Sequence, residues 1–444
     1  MLIGVAIRPR RILTLLWKGQ NDIGKRPPHS LSSPLSCRIL RLKEQAVALD
    51  LNKVAPQIGG MVARLKADRD EKEKRLQYAL GVAGDEAIDL DKLKKKVRQS
   101  KTTWLVADLV EGIANHYPTP PTPADFTVLA TDGSHIDVDR HRSTRCYLIN
   151  IGAAVLHYGD NPDAVLASYP ALYSQAEDLV IAAPDGKARE QMIEGNLLGI
   201  KRAVEETCRL TKLASELPKG SSSLALLDGS LILWGLEAYP EFVAEAMLEN
   251  GLLPCLNELK ELNKLNRLAL ASYISFPRST DVVNVLRVAI CPYEPADCDR
   301  HCAEKKEKDC AGVAGVQDRE VFAQLLGERE RSAVFISQSS VTRHYGEHLV
   351  YFFYLRVGEE VARVEVPRWV GENEELLELA HALILDQCRR GQGYPVALSE
   401  AHEQAVVTGA DRENFWQLVE SLCVEEKMTT MTSAKSLSKR TRWV

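Results

Sequence analysis

FTVLATDGSH, residues 126–135, is the stretch on which the reading of the fold turns. Phe126, Val128, Leu129 and Ala130 form an apolar run that stops at Thr131-Asp132-Gly133-Ser134. A buried strand that ends in an acid and a glycine sets the carboxylate at its C-terminal edge, where sites collect in α/β sheets. The design returns in LALLDGSL, residues 224–231, which stops at Asp228-Gly229-Ser230. Two matched strand ends predict two carboxylates side by side on adjacent strands, the arrangement that oxygen-loving divalent cations require. Taken singly, each Asp-Gly reads equally well as a turn.

Composition bounds the rest. The chain has 444 residues, 45% hydrophobic and 26% charged, with a formal net charge of −5. That length suits two to three domains, or one large domain with a helical appendage. The charge gives no support to wholesale coating of nucleic acid, though a local basic groove is compatible with it. No apolar run approaches the roughly 20 residues that span a bilayer, so no membrane partner is expected. Ten cysteines are too sparse for a disulfide scaffold, and a reducing, cytoplasmic compartment is the expectation. Residues 1–41 are rich in Arg and hold one acid, Asp22. Such a start resembles a transit peptide, but the reading adopted is a disordered or mis-assigned extension.

Residues 42–116 carry helical spacing, through Val54, Ile58, Met61, Val62 and Leu65 and again through Leu90, Leu93, Val97 and Trp104–Ile113. This predicts a helical arm of two or three helices with a break near Gly81–Gly84. YPTPPTP, residues 117–123, reads as a stiff linker after it. Further on, the expectations are a strand over 146–157, helices over 186–216 and 242–270, and a strand running into a helix over 269–287. A hairpin over 349–366 turns at Gly358, a helix covers 374–390, and Ser399 caps a helix carrying His402. Residues 425–444 read as a flexible tail. No GxGxxG or GxxxxGK[ST] occurs, so nucleotide binding finds no support.

Phosphodiester hydrolysis is commonly run by two cations about 4 Å apart, held by oxygen ligands from several elements. Asp132 and Asp228 are the first candidates, with Glu205 or Glu206 from the intervening helix. His402 offers an imidazole, which suits Mn²⁺ better than Mg²⁺, and Tyr394 could position a phosphate or a water. Singly, the glutamates read as solvent-facing helix charges, His402 as a surface histidine and Tyr394 as a packed aromatic. The insertion 291–317 holds Cys291, Cys298, Cys302 and Cys310 with His301 among them. Four thiols suit a structural Zn²⁺, but the tight CxxC knuckle is missing and a flexible loop is the reading adopted.

Together these pieces resemble the NurA nuclease family. The resemblance rests on Asp132-Gly133-Ser134, Leu227-Asp228-Gly229-Ser230-Leu231, Tyr273-Ile274-Ser275-x-Pro277-Arg278-Ser279 and Tyr394-Pro395-x-x-Leu398-x-x-Ala401-His402, in the family's order. It implies an α/β fold, a ribonuclease H-like mixed sheet core flanked by helices, over residues 124–424. It implies a metal-dependent DNA exo- and endonuclease that prefers Mn²⁺, a homodimer that docks on the hexameric HerA ATPase in DNA end resection. By position it assigns Asp132, Asp228 and His402 as metal ligands, with Tyr394 beside them. The family's helical glutamate falls on Glu206, with Glu205 close behind. Arg278 is a candidate phosphate contact, since a guanidinium matches phosphate in two-point geometry; a surface salt bridge is the alternative. Two rival readings are a non-catalytic scaffold for a DNA translocase and a small-substrate phosphatase with a closed pocket.

Overall fold

In the computed structural model, which describes residues 50–184, 189–306, 308–428, 431 and 433, eleven strands join in one mixed sheet. Its centre is the stretch 126–135. β3 (Phe126–Ile136) pairs antiparallel with β4 (Tyr147–Tyr158), which pairs antiparallel with β5 (Asp163–Tyr173). On its other side β3 runs parallel to β8 (Ser222–Asp228), and β8 runs parallel to β9 (Arg267–Ile274). Three antiparallel strands followed by two parallel ones agree with the ribonuclease H-like core that the motifs imply. The hairpin β12 (Val350–Val357) and β13 (Glu360–Pro367) extends the sheet antiparallel to β9, turning at Gly358 with φ +59°. The short strands β1 (Asp108–Leu109), β2 (His116–Tyr117), β10 (Arg331–Ser332) and β11 (Phe335–Ile336) finish that edge. β6 (Val180–Ala182) and β7 (Glu190–Met192) form a separate ribbon.

Both faces of the sheet are covered, which is why its central strands read as continuous apolar runs. On one face Leu129, Ala225 and Leu227 pack against Leu197, Ile200 and Val204 of α5 (Asn196–Ser215) and against Leu256 of α7 (Leu253–Asn263). On the other, Val128, Ala130, Leu224 and Leu226 meet Leu383 and Ile384 of α12 (Glu374–Arg390) and Leu398 and Ala401 of α13 (Val396–Ala405).

The chain divides into two units, Met1–Ala63 and Arg64–Val444. Of the first, residues 50–63 are described, and 51–63 lie in α1 (Leu51–Ala67). Within the second, α2 (Arg69–Ala83) and α3 (Leu90–Gln99) do not stand apart as an arm. Ala79, Leu93 and Val97 are buried in one core with Val285 and Leu286 of α8 (Asp281–Ala289) and Phe322 of α10 (Asp318–Leu325). Helix also stops at Gln99, because the 104–113 stretch supplies β1 instead.

Other expectations shift similarly. The helix expected over 186–216 starts at Asn196, since Glu190–Met192 pairs as a strand. That over 242–270 is divided into α6 (Glu241–Met247), a π turn over Leu248–Leu252 and α7. The start of α13 is Pro395-Val396 rather than Ser399, the proline ring fixing φ at the N-terminus. The Cys-bearing insertion contains α9 (Cys298–Cys302) and a 3₁₀ turn over Asp309–Val313, so it is not structureless. α4 (Ala176–Leu179), α11 (Arg368–Gly371) and α14 (Gly409–Glu425) complete the α-helices among the described residues. The extension at 1–41 and most of the tail at 425–444 lie outside those residues.

Candidate active site

Register places the two aspartates. Thr131 is paired with Leu227 across parallel strands, so the next rung sets Asp132 beside Asp228, one strand spacing of about 4.8 Å away. Alternation turns both toward the face that carries α12 and α13. Asp228 is exposed at the strand tip. Its carboxyl is nevertheless pushed above the usual range, first by desolvation within the site and then by the charge of Asp132, against the Tyr394 hydroxyl that holds it down.

α13 brings His402 to Asp132, with Nδ1 2.6 Å from Asp132 Oδ2. Asp132 is tucked in, its side chain 14% exposed, while His402 is open at 61%. A bare Cα makes this approach possible. Gly152 is the β4 partner of Asp132, and a Cβ there would lie 2.1 Å from the Ala401 carbonyl and 2.3 Å from the Ala405 amide. The helix therefore rests directly on the strand backbone. It is fastened by Ser134 Oγ and Asn150 Nδ2, which both donate to the Ala405 carbonyl. Tyr394, just before α13, stands edge-on to the buried ring of Tyr273 at 5.6 Å and turns its hydroxyl to Asp228.

Glu206 comes from the opposite face. α5 packs beneath β3, where the Thr131 hydroxyl donates to the Glu206 carbonyl. Gly133 leaves room for the side chain, since a Cβ there would meet Glu206 Oε1 at 2.5 Å. The carboxyl is 5% exposed. Arg202 Nε lies 3.1 Å from Oε1, yet the N–H is not aimed at it, and both atoms are buried without a hydrogen-bond partner. Desolvation, with Asp132 and Asp228 adding to it, raises the Glu206 pKa to about 8 despite Arg202. Glu205 points elsewhere, to Lys201 at 3.1 Å and to Tyr173.

Behind the second aspartate, Glu365 accepts from Ser230 Oγ and from the Leu231 amide, at 2.7 and 2.9 Å. Arg363 locks Glu365 in turn and reaches Asp281. Residue patterns did not single out Gly152, Glu365 or Arg363. A charge alternating along a hairpin strand reads as solvent-facing, whereas here both sheet faces are covered. Arg278 follows β9 at the same sheet edge, exposed and paired with no carboxylate among the described residues.

The donors fit a hard divalent cation in kind: paired carboxylates on adjacent strands, an imidazole against one of them, and a buried carboxylate oxygen with no partner. They are not closed around a point. Among the described residues no group of three His, Cys, Asp or Glu side chains is arranged to hold a metal ion. This holds also for Cys291, Cys298, Cys302 and Cys310, whose thiols are free and line one small cavity with Arg287.

The NurA domain model matches residues 126–407, a span that begins at the first residue of β3 and takes in every site residue above. The chain belongs to the NurA family. The crystal structure of the NurA nuclease from Sulfolobus solfataricus is similar at 15% identity and a TM-score of 0.43, covering 83% of this chain and 98% of that one. No curated protein matches the chain. Within the NurA domain, β3, β8, α5 and α13 carry the candidate site, and no described helix is long and apolar enough to cross a membrane.

Proposed function

We propose that this protein is a metal-dependent DNA nuclease, with exo- and endonuclease activity, working in DNA end resection beside a HerA-type hexameric ATPase. Membership of the NurA family supports the hydrolase reading. The observation that carries it is the parallel register of β3 and β8, whose Thr131–Leu227 pair lies one step before Asp132 and Asp228, with His402 held against Asp132. A scaffold has no use for two carboxylates side by side at neighbouring strand tips, where like charges repel. A phosphatase for small substrates wants an enclosing pocket. Here Asp228 and His402 stand open to solvent, which suits a polymer.

Asp132, Asp228 and His402 would hold Mn²⁺ or Mg²⁺, with Glu206 completing the set from below once ionised. Bound there, the cations supply an activated water and neutralise charge on the phosphate. The protein's own groups do the rest. Asp132 accepts only, so His402 donates from Nδ1 and its Nε2 lone pair faces outward, free to ligate or to take a proton from the attacking water. The Tyr394 hydroxyl orients Asp228. Arg278, exposed in the turn after β9, would take a phosphate of the bound strand. A homodimer docked on the ATPase, in the cytoplasm, is part of the same reading and follows from the family's habit.

An end-labelled linear duplex, incubated with Mn²⁺, with Mg²⁺ or with chelator, tests this. Cleavage is expected with metal, none in chelator, and none for Asp132→Ala or Asp228→Ala proteins that keep the wild-type melting temperature. Activity that survives either substitution, or persists in chelator, overturns the proposal.

A further inference from the structure

The turn after β9 holds a residue that the site described above does not use. Phe276 sits at φ +48°, a left-handed conformation that a bulky side chain adopts only at a cost in backbone energy. The turn is held there from several sides. Ser275 Oγ and the Phe276 amide both donate to Glu360 Oε1 at 2.7 Å. Pro277 is buried. The Ser279 carbonyl accepts from the Asp318 amide at 3.0 Å, and its hydroxyl meets Tyr354 Oη at 2.8 Å. None of these anchors involves the Phe276 ring, which is 62% exposed. Arg319 lies over the ring as a cation–π partner, its guanidinium carbon 3.4 Å from the centroid.

The position of this ring is what matters. Asp228 is paired with Tyr273, and the Gly229 amide donates to the Tyr273 carbonyl at 3.1 Å. Phe276 is three residues farther on, at most ~10 Å of chain, or about three base steps at the 3.4 Å rise of one strand. Exposed Arg278 follows in the same turn. An aromatic face beside guanidinium groups is what unpaired bases and their phosphates recognise.

We infer that Phe276 is a base-stacking residue and that the strand enters the site unpaired, its base on the Phe276 ring and its backbone on Arg278. This rests on the nuclease reading and adds the form of the substrate to it. The ring is a binding residue, not a catalytic one.

The test uses the full chain in chelator, so that binding is read without cleavage, with a fluorescent single-stranded oligonucleotide and the blunt duplex of the same sequence. Phe276→Ala is expected to weaken single-strand binding roughly 5- to 150-fold, the range that stacking of one base supplies, while duplex binding changes little. Phe276→Trp should restore it and Phe276→Leu should not. Phe276→Gly, which accepts the left-handed backbone, should lose the same affinity yet melt no lower than the wild type. Unchanged single-strand binding by Phe276→Ala, or rescue by Leu as complete as by Trp, overturns the stacking role. A lower melting point for Phe276→Gly would make the ring structural and overturn it too. If the wild-type protein binds neither DNA, the nuclease reading fails first, and this inference with it.

Discussion

At the scale of single residues, the account turns on how few atoms separate a turn from a site. Either aspartate alone would be a strand-end turn; what changes its meaning is the rung it shares with the other. His402 adds the third group, and its loss should lower kcat by about 10²- to 10⁴-fold, the span that a positioned proton-transfer group supplies. Single-turnover cleavage by His402→Ala checks this, and an unchanged rate would remove the imidazole from the chemistry. Glu206 makes a second prediction. Its pKa is raised to about 8 in the fold from an ordinary value of 4.5, so between these values the folded protein holds the proton more tightly than the unfolded chain does. Stability of the metal-free protein should therefore fall as pH rises from about 4.5 to about 8, and level off above. Glu206→Gln should flatten that slope in chemical denaturation, and a slope unaltered by the substitution would place the charge elsewhere. The sequence left Glu205 and Glu206 undivided because they are consecutive on a helix. Only the gap at Gly133 gives one of them access to the strand.

At the scale of elements, strand ends and the α12 and hairpin spans were legible, because apolar runs that stop at Asp-Gly and alternation around Gly358 are local signals. The approach of α13 to β4 was not, since it depends on a missing Cβ at Gly152 whose partner lies far along the chain. β5 was also passed over: most of its side chains are exposed and it holds Pro170, which a sheet tolerates at an edge. Gly152→Ala should push α13 off the strand. Overpacking of this kind costs about 1–3 kcal/mol, and it should carry His402 away from Asp132. Cleavage should then fall nearly as far as in His402→Ala, and the double substitution should add little, since both act through one contact. Fully additive losses would contradict the coupling.

At the scale of the whole molecule, residues 69–99 belong to the core rather than to a detachable arm. Helical periodicity locates α2 and α3 but does not say what their apolar faces meet. Here Leu93 and Val97 are buried with Val285, Leu286 and Phe322. Leu93→Ala should destabilise the protein by about 2–5 kcal/mol, seen as a lower denaturation midpoint; a negligible change would restore the arm. A chain of net charge −5 that binds DNA must do so through local cations such as Arg278, so affinity should fall steeply with salt as counterions are released. Affinity indifferent to ionic strength would exclude backbone contacts.

The central claim is that Asp132 and Asp228 act as one carboxylate pair on a shared cation. Calorimetric titration of Mn²⁺ into the wild-type protein and the Asp228→Asn variant tests it most directly. The account predicts saturable binding to the wild type that Asp228→Asn abolishes without lowering the melting temperature. Equal binding by the two proteins would contradict it.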